Sequence, residues 1–226
     1  MRRIFVPSRG AEDWRRRLAD PEKQWRDGYS AKCLAECWEA AEGLPPEVAA
    51  LFDRPEGAES RDPELLLAIP EYQVHIPGGG HPSQTDLFVL MRTAGGLMTV
   101  AVEAKVAEAF GPTLGEWRQD FTAGKKRRLK YIQEALGIGG DLGDYVRYQL
   151  LHRMASAVHE AIRFGATAAA LVVHSFSAER AGFDAYSAFT GLFGPETQGG
   201  ALIRLGEPKG IRMLCGWAQG GSAQRP

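Results

Sequence analysis

Residues 85–92 (Thr-Asp-Leu-Phe-Val-Leu-Met-Arg) and 97–105 (Leu-Met-Thr-Val-Ala-Val-Glu-Ala-Lys) are separated only by Thr93, Ala94, Gly95 and Gly96. Four residues cannot carry a crossover, and paired glycines suit the positive φ of a hairpin turn, so the two segments must be antiparallel neighbours. A turn centred between Ala94 and Gly95 fixes the register: Arg92 faces Leu97, and Asp86 faces Glu103. Leu87, Val89, Met91, Met98, Val100 and Val102 stand on one face of this ribbon; Phe88, Leu90 and Ala101 stand on the other. A ribbon that is apolar on both faces needs cover on both sides, which places it inside a layered α/β sheet.

The other elements follow from period and punctuation. A helix is expected over 11–26 and a better one capped by Ser30 and running through Ala41, with Leu34, Trp38 and Ala41 on one face. A short helix ending near Phe52 and a surface loop over 54–63 come next. Residues 71–76 read as a strand leading into the loop Pro77-Gly-Gly-Gly-His-Pro82. About sixty residues then separate Lys105 from the apolar run 168–174. That is too many for a bare loop, so helices are expected at 124–136 and 144–164. A helix carrying Phe183, Tyr186, Phe189 and Phe193 and a strand over 211–217 complete the pattern, with a frayed tail over 220–226. The whole of 1–226 reads as one domain, with a core over about 30–175 and decoration at 11–26 and 178–217.

Charge and composition narrow the function classes. Twenty-seven basic against twenty-eight acidic side chains leave a net charge of −1. That excludes a globally cationic coat on nucleic acid but leaves room for a local basic track. No apolar run reaches the roughly 20 residues of a membrane helix. The opening Met1-Arg-Arg-Ile-Phe-Val-Pro7 is too short in apolar residues for a secretory segment. Three cysteines do not make a disulfide framework, so a cytoplasmic protein with reduced thiols is expected.

Within the ribbon, Asp86 and Glu103 lie across from each other, with Lys105 on the same face and Gln84 opposite Lys105. Two like charges held this way repel, and something must offset that. Mg²⁺ or Mn²⁺ would, because such ions take one or two carboxylates together with water and phosphate. Lys105 would neutralise part of the charge and hold a metal-bound water.

Aspartate on one strand and Glu-x-Lys on its partner, between a leading helix and a helix–strand crossover, resembles the PD-(D/E)XK nuclease superfamily, in a bacterial branch without an assigned substrate. The matching residues are Asp86, within Pro82-Ser-Gln-Thr-Asp86, and Glu103-Ala104-Lys105; the proline lies four residues before the aspartate rather than immediately before it. The resemblance implies a restriction-endonuclease-like αβββαβ core, a central mixed sheet flanked by helices, with an extra C-terminal helix and strand. It also implies Mg²⁺-dependent hydrolysis of DNA or RNA phosphodiesters. Asp86, Glu103 and the Ala104 carbonyl would bind metal, and Lys105 would position the attacking water. By the same resemblance Glu39, on the leading helix, would add an acidic group. Gln149 would bond the metal-bound water or a phosphate, and homodimers are common in this fold.

Further residues attach to that reading. Tyr145, Gln149, His152 and Ser156 recur at helical spacing as a polar line; it resembles the glutamine-containing helix of exonuclease-like members of the superfamily, which implies that His152 or Arg153 would touch backbone phosphate. Lys125, Lys126 and Arg127 belong to the one concentrated basic run, a track for phosphates if it lies near the carboxylates. Gln84 joins this nucleic-acid set. Cys33 and Cys37 lie one helical turn apart and read as buried thiols, and His174 as a satisfied core histidine. Gly78-Gly-Gly80 precedes a strand and is no P-loop. Two readings of other classes stand beside the nuclease: a non-catalytic nucleic-acid- or protein-binding module on a nuclease-like scaffold, and a metal-dependent hydrolase of small phosphorylated molecules.

Overall fold

The computed structural model describes residues 8–53, 60–194 and 199–221; the opening residues 1–7, most of the 54–63 loop and the tail beyond 221 lie outside the described residues. Six strands form one mixed sheet in the order β1-β2-β3-β4-β6-β5. They are β1 (Glu64–Val74), β2 (Ser83–Thr93), β3 (Gly96–Lys105), β4 (Ala168–Ser175), β5 (Leu202–Gly206) and β6 (Arg212–Gln219). The helices are α1 (Pro21–Gln24), α2 (Ser30–Ala40), α3 (Pro46–Ala49), α4 (Leu114–Arg118), α5 (Ala123–Leu136), α6 (Tyr148–Phe164) and α7 (Phe183–Gly191). β3–β4 and β4–β6 are parallel, and the remaining neighbours are antiparallel. The fold is thus α/β with the αβββαβ order running from α2 to β4.

The hairpin has the register its turn dictates, Arg92 against Leu97 through Leu87 against Val102. Each face of the sheet has its own core. On one side Leu34, Trp38, Val48 and Leu51 pack on Leu87, Val89, Val102 and Val172. On the other, α5, α6 and α7 bury Ile132, Leu150, Met154, Val158, Tyr186 and Phe189 against Ala101, Leu171 and Val173. α6 carries a wide apolar stripe and ends at Gly165, whose φ of 64° forms a left-handed cap.

Several boundaries differ from the sequence reading, each for a local reason. The 11–26 segment is a 3₁₀ turn (Ala11–Arg17) followed by the short α1, because Pro21 starts a new turn instead of continuing the old one. Ser30 lies inside α2 behind Tyr29 and does not cap it. α6 begins at Tyr148: Leu114 N–H donates to the Val146 carbonyl at 2.7 Å, and Thr113 bridges to Arg147, which holds the preceding residues extended. Tyr145 is therefore outside the helix and 67% exposed, off the polar line.

β1 starts seven residues before the expected strand, and β5 adds a strand the sequence did not mark. β1 is an edge strand, so Pro70, which has no N–H, is tolerated within it. The β1–β2 register shifts once between Leu65 and Leu67, and Glu71 has a φ of 54°.

Candidate functional site

Asp86 sits where β2 and β3 part. The paired register ends at Leu87 and Val102, and one carboxylate oxygen of Asp86 reaches across to accept the Ala104 backbone N–H at 2.8 Å. Thr85 Oγ1 donates to the Val102 carbonyl beside it. Glu103 and Lys105 follow Ala101 on the face covered by α6, whose Ala157 carbonyl accepts from Thr99 Oγ1 on that same face. Asp86 lies two residues from Phe88, which stacks on Phe164 at the end of α6. Both acids therefore point to one side of the ribbon.

Glu103 is 1% exposed and Lys105 4%. Glu103 Oε1 accepts from Lys105 Nζ at 2.8 Å and from Gln149 Nε2 at 2.5 Å; Oε2 accepts from Arg153 Nε at 2.7 Å. The Lys105 ammonium also donates to the Ala104 carbonyl at 3.1 Å and lies over the Phe110 ring. It thus rests against two of the oxygens assigned to a metal. Burial pushes the Glu103 carboxyl up, but Lys105 and Arg153 outweigh it and hold the group below the usual glutamate range. Burial pulls Lys105 down, and Glu103 and Asp86 more than restore it, so the ammonium stays charged.

Glu71 is the residue that sequence reasoning missed. The β1–β2 pairing runs from Pro70–Leu87 to Tyr72–Thr85, which sets Glu71 across from Asp86, and Gln84 Nε2 donates to Glu71 Oε2 at 2.6 Å. Gln84 thus turns to β1 rather than to Lys105. Burial, then Asp86, pushes the Glu71 carboxyl up to about 8; burial, then Glu103, pushes Asp86 up to about 7 while leaving it some exposed surface. Three carboxylates from adjacent strands share the space with two cations, Lys105 and Arg153.

A pH dependence follows. The folded chain keeps protons on Glu71 and Asp86 that the unfolded chain, with values of 4.5 and 3.8, has already released. The stability they contribute is full below about pH 4 and is lost as pH rises through about 7 to 8. Glu103, shifted the other way, acts only at the acid end. In EDTA the thermal midpoint should fall between about pH 5 and 8.5, and Glu71→Gln should flatten that fall. Parallel calorimetric curves for the two proteins would refute it.

The remaining sequence-assigned residues divide. Gln149 and Arg153 meet at Glu103, so Arg153 is an ion-pair partner of the carboxylate rather than a phosphate contact. Gln149 Oε1 is buried with no hydrogen-bond donor among the described residues. His152 shares Ser83 Oγ with Arg153; burial, Arg153 and Arg128 hold its pKa well below the usual histidine value. Lys125 Nζ is bound to the Trp117 carbonyl at 2.7 Å, Lys126 lies over Phe121, and Arg127 faces the space beside Ser83 and His152. Arg118, on α4 before this run, pairs with Asp141 and Asp144.

Glu39 does not join the site. α2 packs on the opposite face of the sheet, where Glu39 accepts from Ser8 Oγ and Trp14 Nε1, and so ties the N-terminal turn to the helix. A second polar cluster lies on that face: Cys37, Glu47 and His174 gather within 4.8 Å. Indole N–H is a donor only, so Trp38 Nε1, 3.2 Å from His174 Nδ1, leaves the neutral ring's proton on Nε2, which donates to Glu47 at 2.8 Å. A metal at Nε2 would need the lone pair that this proton occupies. Burial pushes the Cys37 thiol up to about 12, and the His174 hydrogen bond brings Glu47 down to about 2. The cluster is a hydrogen-bonded relay that satisfies His174 in the core.

A family model described as a domain of unknown function, DUF6946, matches residues 7–222, nearly the whole chain. The chain belongs to the DUF6946 family. No curated protein and no solved structure matches it. The DUF6946 match spans both helical layers and all six strands, so the carboxylate cluster and the relay behind it lie within one family unit. Among the described residues no helix is long and apolar enough to cross a membrane.

Proposed function

We propose that this chain is a Mg²⁺- or Mn²⁺-dependent phosphodiesterase of the PD-(D/E)XK kind, acting on DNA or RNA in the cytoplasm. The observation that carries the reading is the convergence of Asp86 and Glu103 on one face where β2 and β3 part, with the Lys105 ammonium between Glu103 and the Ala104 carbonyl. The donor set fits a hard divalent cation: the carboxylates of Glu71, Asp86 and Glu103, the Ala104 carbonyl, and Gln149 Oε1, a buried acceptor without a donor among the described residues. Bound there, the ion supplies Lewis-acid stabilisation of the phosphorane-like transition state and a more acidic water.

The protein's own groups do the rest. The Ala104 N–H fixes Asp86, and Gln149 and Arg153 fix Glu103, so both acids are held at the end of the ribbon. Lys105, held protonated, is a donor that orients a water, not a base that takes its proton. Glu71, protonated at neutral pH in the folded chain, faces Asp86 and would offer a further carboxyl oxygen, charged once a bound cation displaces its proton.

One observation favours the reading of a non-catalytic binding module: Glu103 already accepts from three donors, two of them cationic. Calorimetric titration with Mn²⁺ separates the two. The hydrolase reading expects binding that Asp86→Asn abolishes. Heat that is absent, or unchanged in that variant, supports the binding module.

A further inference from the structure

Beside the carboxylates, the loop from Gly78 to Ser83, the first turns of α5 and the start of α6 line a half-open cavity of about 600 Å³, a size that holds a small ligand. Lys125, Arg127 and Arg128 line it, and none of its lining residues is acidic, so it suits an anion. Arg128 is only 7% exposed. Its Nη2 donates to the carbonyls of Gly79 and His81 at 2.7 and 3.3 Å, whereas its Nε has no acceptor among the described residues. Such a buried, unspent N–H is costly and marks where an acceptor belongs.

His152 supplies a second donor, and its direction follows from the bonds behind it. Arg153 Nη1 donates to Ser83 Oγ at 3.0 Å, so the serine proton goes to His152 Nδ1 at 2.7 Å. In the neutral ring the remaining proton is on Nε2. The wall is preformed: Gly78 has a φ of 110°, and a Cβ there would meet the Arg128 backbone at 2.4 Å. Trp117 and Tyr148, stacked at 4.1 Å, add a flat apolar edge. The same hydrogen-bond chain ends on Glu103 through Arg153 Nε, which puts the cavity one side chain from the carboxylates.

We propose that this cavity seats one unpaired nucleotide of a nucleic-acid strand, its phosphate on Arg127, Arg128 and His152 and its base on the Trp117–Tyr148 edge. The identity of the ligand as nucleic acid rests on the phosphodiesterase reading; the anion site itself does not. A half-open cleft of this volume fits one nucleotide turned out of the stack, with its phosphate on the cationic wall, so single-stranded or frayed substrate is preferred over intact duplex.

Fluorescence anisotropy in EDTA tests this with a labelled single-stranded oligonucleotide, its blunt duplex, and a nucleoside 5′-monophosphate as competitor. The single strand should bind about tenfold tighter than the duplex, the mononucleotide should compete, and Arg127→Ala should weaken strand binding about tenfold, the loss of one charge-assisted contact. Equal affinity for strand and duplex, or no effect of Arg127→Ala, overturns the proposal. Strand preference in a protein that binds no Mn²⁺ upholds the cavity and removes the hydrolytic reading; Mn²⁺ binding without strand preference overturns the cavity alone.

Discussion

Lys105→Met should lower Mg²⁺-dependent cleavage of a nucleic-acid substrate by about 10²–10³-fold, the usual contribution of one preorganised donor to a transition state. Methionine keeps the buried stem, so the β3 end should stay packed against Phe110. Glu103 loses one of its partners but retains Gln149 and Arg153, and Asp86 retains the Ala104 N–H. The cation site therefore persists, and Mn²⁺ should bind the variant at least as well as the parent, because the ammonium competing for the Glu103 and Ala104 oxygens has gone. Single-turnover cleavage alongside Mn²⁺ calorimetry makes the check. Full activity in the variant would reject the role assigned to Lys105.

Arg153→Met is expected to show its largest effect on stability. Removing one partner of a buried ion pair leaves the other charge uncompensated, at a cost of about 3–5 kcal/mol. Lys105 still faces Glu103, so the lower figure applies, about 3 kcal/mol or about 6–12 °C in the thermal midpoint for a chain of this length. Adding Glu103→Gln to the same protein should recover little of that loss, because the buried Lys105 ammonium then lacks the carboxylate it pairs with at 2.8 Å. A midpoint within about 2 °C of the parent for Arg153→Met alone would mean that Arg153 does not neutralise Glu103.

How far the site was readable from the chain depends on how locally each part is determined. Asp86, Glu103 and Lys105 belong to a hairpin whose four-residue turn sets the register, so their grouping follows from numbering alone. Glu71 comes from a strand whose opening, Leu65-Leu-Leu-Ala-Ile-Pro70, lacks polar alternation and contains a proline, which disguises it. Its pairing with β2 closes over the glycine loop, and no short turn fixes that register. Glu39 failed for another reason: spacing gives the face of a helix but not the side of the sheet on which the helix lies. Arg153 was placed near Gln149 by helical phase, yet phase alone does not say that its guanidinium turns inward to Glu103 instead of outward to a phosphate. The trapped Lys125 is similar, since its partner is a backbone carbonyl that sequence cannot locate.

The irregular outer strand also bears on how copies of this chain can meet. A straight, apolar sheet margin invites a neighbouring polypeptide to add itself as another strand. Here Pro70 removes one donor from that margin, Glu71 turns the backbone into the left-handed region, and the register slips between Leu65 and Leu67. A polypeptide laid along β1 would find its ladder interrupted at each of these places. That protects this margin against runaway stacking and leaves the short β5 as the other open edge of the sheet.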